Sequence, residues 1–67
     1  MDRKAKYEKI IETLKGGGAV MVCTYTHATI FSAKHIECFK LTENGLYARY
    51  GRRWDCIDFA GLRFGHR

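Results

Sequence analysis

Four residues have the chemistry of a metal site: Cys23, His27, His35 and Cys38. Their spacings are C-x3-H and H-x2-C, and two thiolates with two imidazoles would complete a tetrahedral zinc corner. The elements that must carry them argue against it. Cys23 and His27 fall in a strand-like run, where a four-residue separation spans about 13 Å. Both reach one ion only if the chain bends between them, and the usual C-x2-C knuckle is missing. Cysteines acting as small apolar side chains are the simpler reading. No metal and no cofactor are expected.

Catalysis has even less to build on. Cys56 lies between Asp55 and Asp58. Neighbouring carboxylates hold a thiol protonated, the wrong direction for a nucleophile. Asp55 and Asp58 are expected to pair with Arg52, Arg53 or Arg63. Gly16-Gly17-Gly18 is a turn rather than a phosphate loop, because a phosphate loop needs a following helix with Lys and Ser/Thr. A strand-like run follows here, so the protein is expected not to be an enzyme.

The densest chemistry is an interleaving of aromatics and guanidinium groups. Tyr47, Arg49, Tyr50, Arg52, Arg53 and Trp54 follow one another closely, and Arg63, Phe64 and Arg67 come later. Aromatic faces stack on bases and arginines clamp phosphates. Tyr47, Arg49, Arg52, Arg53 and Arg63 are therefore the candidate partner-binding residues. Trp54, the sole Trp, is expected in the core with Leu46, Ala48 and Ile57, anchoring a hairpin from which the arginines project; the alternative is an exposed stacking platform that includes it. The chain carries 12 Lys and Arg against 7 acids, a net charge of +5, which favours nucleic acid or an acidic protein surface as partner. No helix-turn-helix pair and no RNP-type aromatic pattern is visible.

The positioning elements follow from periodicity. Asp2 to Lys15 reads as a helix, since Tyr7, Ile10, Ile11 and Leu14 share one face of a 3.6-residue period. Asp2 caps its start and the glycines stop it. Ala19 to Phe31 is rich in Val, Thr, Tyr and Ile and is too long for one strand, so a bend near His27-Ala28 is expected to split it. Ser32 begins a short helical turn to Glu37. Cys38 to Tyr50 is a hairpin, with Asn44-Gly45 as a type I′ turn. Leu46, Ala48 and Tyr50 then face one side, and Tyr47 and Arg49 the other. Gly51-Arg52-Arg53 is a second turn, Trp54 to Phe59 returns as a strand, and Leu62 to Phe64 adds a short edge.

One domain, residues 1–67, of α+β class results: an N-terminal helix packed on a small curled antiparallel sheet of three to five strands, or a small SH3-like barrel. At this size only roughly 60% of the unfolded surface is buried. No apolar run approaches the ~18 residues of a membrane span, and no secretory leader is apparent. With an odd number of cysteines, the expectation is a cytoplasmic protein with reduced thiols. The oligomeric state is open, a weak dimer included.

The runs TYTHAT, SAKH and NGLYARYGRRWDCIDFAGLRF resemble small phage and prophage accessory proteins of unassigned function, over about residues 19–64. The resemblance carries over no site. It implies a context, the host cell cytoplasm during infection or prophage expression, and a protein that binds host or phage machinery. The expected function is a non-catalytic basic module binding nucleic acid through an Arg/aromatic hairpin surface. The alternative is a protein-binding inhibitor or modulator, of transcription or of anti-CRISPR type.

Overall fold

In the computed structural model of the chain, residues 2–23 and 27–65 are described. Helix α1 runs Arg3–Lys15, with Asp2 as its N-cap. The Asp2 carboxylate accepts the Lys4 N–H at 3.1 Å, satisfying one of the free donors of the first turn. At the other end the Gly17 N–H bonds the Leu14 carbonyl and the Gly18 N–H bonds the Thr13 carbonyl. These two bonds are the Schellman pair, which closes the helix on the glycines as expected. Ile10 and Leu14 are fully buried, and Tyr7 and Ile11 pack beside them half-buried.

The described residues between Ala19 and Phe31 form two strands, as expected. β1 (Ala19–Cys23) pairs antiparallel with β2 (Ala28–Phe31), placing Val20 opposite Phe31 and Met21 opposite Ile30. Ser32 then starts a 3₁₀ helix, Ala33–Cys38. The His35 ring nitrogen Nδ1 accepts the Ser32 N–H at 3.1 Å, and its ring meets Phe31 edge-on with centroids 5.5 Å apart.

β3 (Phe39–Thr42), β4 (Gly45–Tyr50) and β5 (Arg53–Cys56) form an antiparallel meander. A second 3₁₀ helix, Phe59–Gly61, is capped by Asp58 and leads into β6 (Leu62–Gly65), which returns to pair with β1. The strand set is thus divided: among the described residues six strands make two three-stranded sheets, in the orders β2-β1-β6 and β3-β4-β5. Both contribute to one core. Val20, Val22, Phe31 and Leu62 from one side meet Phe39, Leu46, Ala48 and Ile57 from the other, with Ile10 and Leu14 of α1 among them. Phe31 is a hub, in edge contact with Phe39 at 4.9 Å and Tyr50 at 5.8 Å. Among the described residues no helix is long and apolar enough to cross a membrane.

Both turns of the meander differ from expectation by one residue. A type I′ turn at Asn44-Gly45 would need a positive φ at Asn44, and no non-glycine residue has one among those described. The turn residues are Glu43 and Asn44, while Gly45 opens β4 at φ 143° opposite Thr42. The Thr42 hydroxyl secures this arrangement, accepting the Asn44 N–H at 3.2 Å and donating to the Gly45 carbonyl at 3.1 Å. The second turn has two residues, not three. Tyr50 pairs with Arg53, leaving Gly51-Arg52 between them. Gly51 has φ 65° and Arg52 does not have a positive φ, the pattern of a type II′ turn with glycine at its first central position.

Candidate functional site

That second turn decides which side chains face outward. Side chains alternate along a strand and directly opposed residues share a face, so a one-residue change in turn length turns the whole returning strand over. Tyr47 lies opposite Cys56, and Arg49 opposite Trp54. Lys40 lies opposite Tyr47 on the other flank. The outward face of β3-β4-β5 therefore carries Lys40, Thr42, Tyr47, Arg49, Trp54 and Cys56. The inward face carries Phe39, Leu46, Ala48 and Tyr50, and Ile57 follows inward just beyond β5.

Trp54 is accordingly not a core anchor, and that expectation is corrected. It is 40% exposed, whereas Leu46, Ala48 and Ile57 are buried as expected. The three-residue turn is the economical reading of the sequence, because it buries Trp54 and exposes Arg53 and Asp55. The fold tolerates the opposite because β5 is an edge strand. Charged side chains leaning inward there still reach water: the Arg53 side chain is 82% exposed, and its Nε meets the Asp55 carboxylate at 3.2 Å.

Two cations approach the exposed indole. The Lys40 Nζ lies 5.9 Å and the Arg49 Cζ 5.8 Å from the Trp54 ring centroid. Both distances are at the outer limit of cation–π attraction, so the two groups are loosely held. Arg49 also donates from Nη2 to the Cys38 sulfur at 3.9 Å. Lys40, Thr42, Asn44, Tyr47 and Trp54 line a shallow cleft of about 280 Å³. The outward positions of the three strands hold two cations and no carboxylate, since Asp55 lies on the other side.

The expected binding residues are thereby sorted. Tyr47 and Arg49 sit together on this face. Arg52 is exposed in the turn at its end. Arg53 projects from the opposite side of β5. Arg63 belongs to the other sheet, where its Nη1 donates to the Ala60 and Leu62 carbonyls, both at 2.8 Å. Phe64 is half-buried beneath α1, with the Lys9 Nζ 4.5 Å from its ring centroid. Arg67 lies outside the described residues. Lys40 is a site residue that sequence reasoning missed, and Trp54 is one that it weighed as a stacking group but assigned to the core. The alternation of β3 could have placed Lys40, and the turn length alone decides Trp54.

Among the described residues no group of three or more His, Cys, Asp or Glu is placed to hold a metal. The His27 ring meets Tyr50 edge-on at 5.7 Å. Burial, with smaller contributions from Asp55 and Cys23, raises the Tyr50 phenol above its ordinary pKa. Its buried hydroxyl has no hydrogen-bond partner among the described residues. A groove of about 480 Å³ between α1 and Ile36 has Tyr7 and Ile11 in its lining and is edged by Glu8, Glu12 and Lys15. Its acids make it unlike the cationic face.

No family model, no curated protein and no solved structure matches this chain.

Proposed function

We propose that this protein is a non-catalytic binding module that takes nucleic acid on the outward face of β3-β4-β5. The observation that carries the reading is an exposed tryptophan with Lys40 and Arg49 both within 6 Å of its ring, on a face without a carboxylate. Burying an indole normally stabilises a small fold, so leaving it in water sacrifices core area. An aromatic surface with nearby cations suits a polyanion that also presents flat rings. Tyr47 and Arg49 keep the roles expected of them, Lys40 and Trp54 join them, and Arg52 extends the positive edge. The setting proposed is that of the small phage and prophage accessory proteins that the sequence resembles.

The test is a titration of fluorescently labelled DNA and RNA, read by anisotropy at several salt concentrations. Binding is expected to weaken with salt, and the log–log slope to fall by about 0.7 per lost contact on a single strand, or about 0.9 on a duplex, in Lys40→Ala and Arg49→Ala. Arg63→Ala, on the other sheet, should leave the slope unchanged. Absence of binding to any of these nucleic acids at low salt would overturn the proposal. The same cationic face would then be assigned to an acidic protein surface.

A further inference from the structure

Resting on that reading of the outward face, we infer that its ligand is single-stranded, with an unpaired base stacked on Trp54 in the cleft shared by Lys40, Asn44 and Tyr47. In a duplex the base faces are covered by their neighbours, and a protein reaches base edges by inserting a helix or a two-stranded ribbon into a groove. Neither element is available in suitable form. Helix α1 commits Ile10 and Leu14 to the core, and its solvent side mixes Glu8 and Glu12 with its lysines. The meander presents a broad three-stranded face instead, with Trp54 on the edge strand and Tyr47 diagonal to it on the central strand.

An exposed indole adds nothing to phosphate binding but offers a π surface to any unpaired base. Stacking of this kind tolerates every base, so affinity here comes without strong sequence preference. Lys40 and Arg49 are both within 6 Å of the ring on that face. The phosphates next to a stacked nucleotide, on the side of the indole toward β4 and β3, therefore fall within their reach. Thr42 contributes little to recognition, because its hydroxyl is already engaged with Asn44 and Gly45.

The deciding experiment compares a short oligothymidylate with a blunt duplex of the same length, using the wild type, Trp54→Phe, Trp54→Leu and the Lys40→Ala/Arg49→Ala double variant. Circular dichroism confirms that each variant is folded. The single strand is expected to bind more tightly than the duplex. Trp54→Leu should weaken single-strand binding by about 5- to 150-fold, the loss of one stacked base. It should leave the weaker duplex binding within about twofold, because that binding is electrostatic. Trp54→Phe should retain most of the single-strand affinity, and the double variant should weaken both ligands. Duplex binding as tight as single-strand binding, or a Trp54→Leu variant with undiminished single-strand affinity, would overturn the inference. If the double variant still weakened binding in that case, the interface would stand and only its ligand class would change. If neither change mattered, the interface assignment would fall as well.

Discussion

Arg49 and Trp54 stand directly opposite each other on adjacent strands, and their side chains share the outward face, with the guanidinium carbon 5.8 Å from the indole centroid. This pairing follows from a turn of only two residues, Gly51-Arg52. One more residue in that turn would carry Trp54 into the core and leave Arg53 and Asp55 beside Arg49. The function proposed for this protein therefore hangs on the conformation of a single glycine.

Gly51 adopts φ 65°, a conformation that costs a residue with a side chain about 1 to 2 kcal/mol. Gly51→Ala is expected to lower the unfolding free energy by that amount in a urea titration. Because no atom beyond its two chain neighbours lies within 4 Å of where its Cβ would go, the cost is that of the local backbone conformation and not of a clash with the rest of the fold. An unchanged denaturation midpoint would mean that this turn does not hold the register.

The helix supplies a second test, and burial grades it. Ile10 and Leu14 are fully buried and Ile11 only half-buried. Ile10→Ala and Leu14→Ala should each cost about 2 to 5 kcal/mol, a large part of the stability of a domain this small. Ile11→Ala should cost distinctly less. Equal losses at Ile10 and Ile11 in thermal unfolding would contradict the docking described.

Much of this architecture was legible in the sequence, and the reason is local. The helix is written in a 3.6-residue apolar period between a capping Asp2 and three glycines, so its signals need no tertiary information. The alternation of Leu46, Ala48 and Tyr50 against Tyr47 and Arg49 was equally readable, since it depends only on strand geometry. What could not be read was turn length. Arg53-Trp54-Asp55-Cys56 alternates charged with uncharged residues, and burying Trp54 while exposing the charges satisfies that pattern well. Only the position of β5 at the sheet edge, where inward charges still reach water, makes the opposite register viable. Edge position is a property of the assembled sheet. For the same reason the pairing of β6 with β1, which removes Arg63 from the candidate site, has no local signature.

Tyr50 gives a pH-dependent expectation. Its phenol is raised above the ordinary value of 10.0, first by burial and then by Asp55 and Cys23. Below that value the phenol is neutral in both folded and unfolded chains, and its contribution to stability is constant. As pH rises past 10.0 the unfolded chain ionises first, so stability falls until the raised folded value is passed. Tyr50→Phe should lose this component of the alkaline decline. At neutral pH the variant should be as stable as the wild type or more so, by about 1 kcal/mol, because a buried hydroxyl with no partner among the described residues is removed. A marked loss of stability at neutral pH would show that the hydroxyl makes a bond that holds the fold.

The ion pair between Arg53 and Asp55 should matter little. Its arginine side chain is 82% exposed, and such pairs contribute about 0 to 1 kcal/mol. Arg53→Ala is expected to shift the thermal midpoint only slightly. It should also leave the salt slope of nucleic-acid binding close to that of the wild type, because Arg53 faces away from Arg49. A slope reduced as much as in Arg49→Ala would place Arg53 on the binding surface and contradict the register of β5.

The most direct measurement uses Trp54 itself, the single tryptophan of the chain. Its emission is recorded with increasing acrylamide, first for the free protein and then for the protein saturated with the oligothymidylate. The expected result is red-shifted emission that acrylamide quenches readily in the free protein, and a strong loss of quencher access when the oligonucleotide is bound. Blue-shifted emission shielded in the free protein would put Trp54 back in the core. Quenching unchanged at a concentration where anisotropy shows saturation would mean that nucleic acid binds elsewhere, and either result would contradict the account.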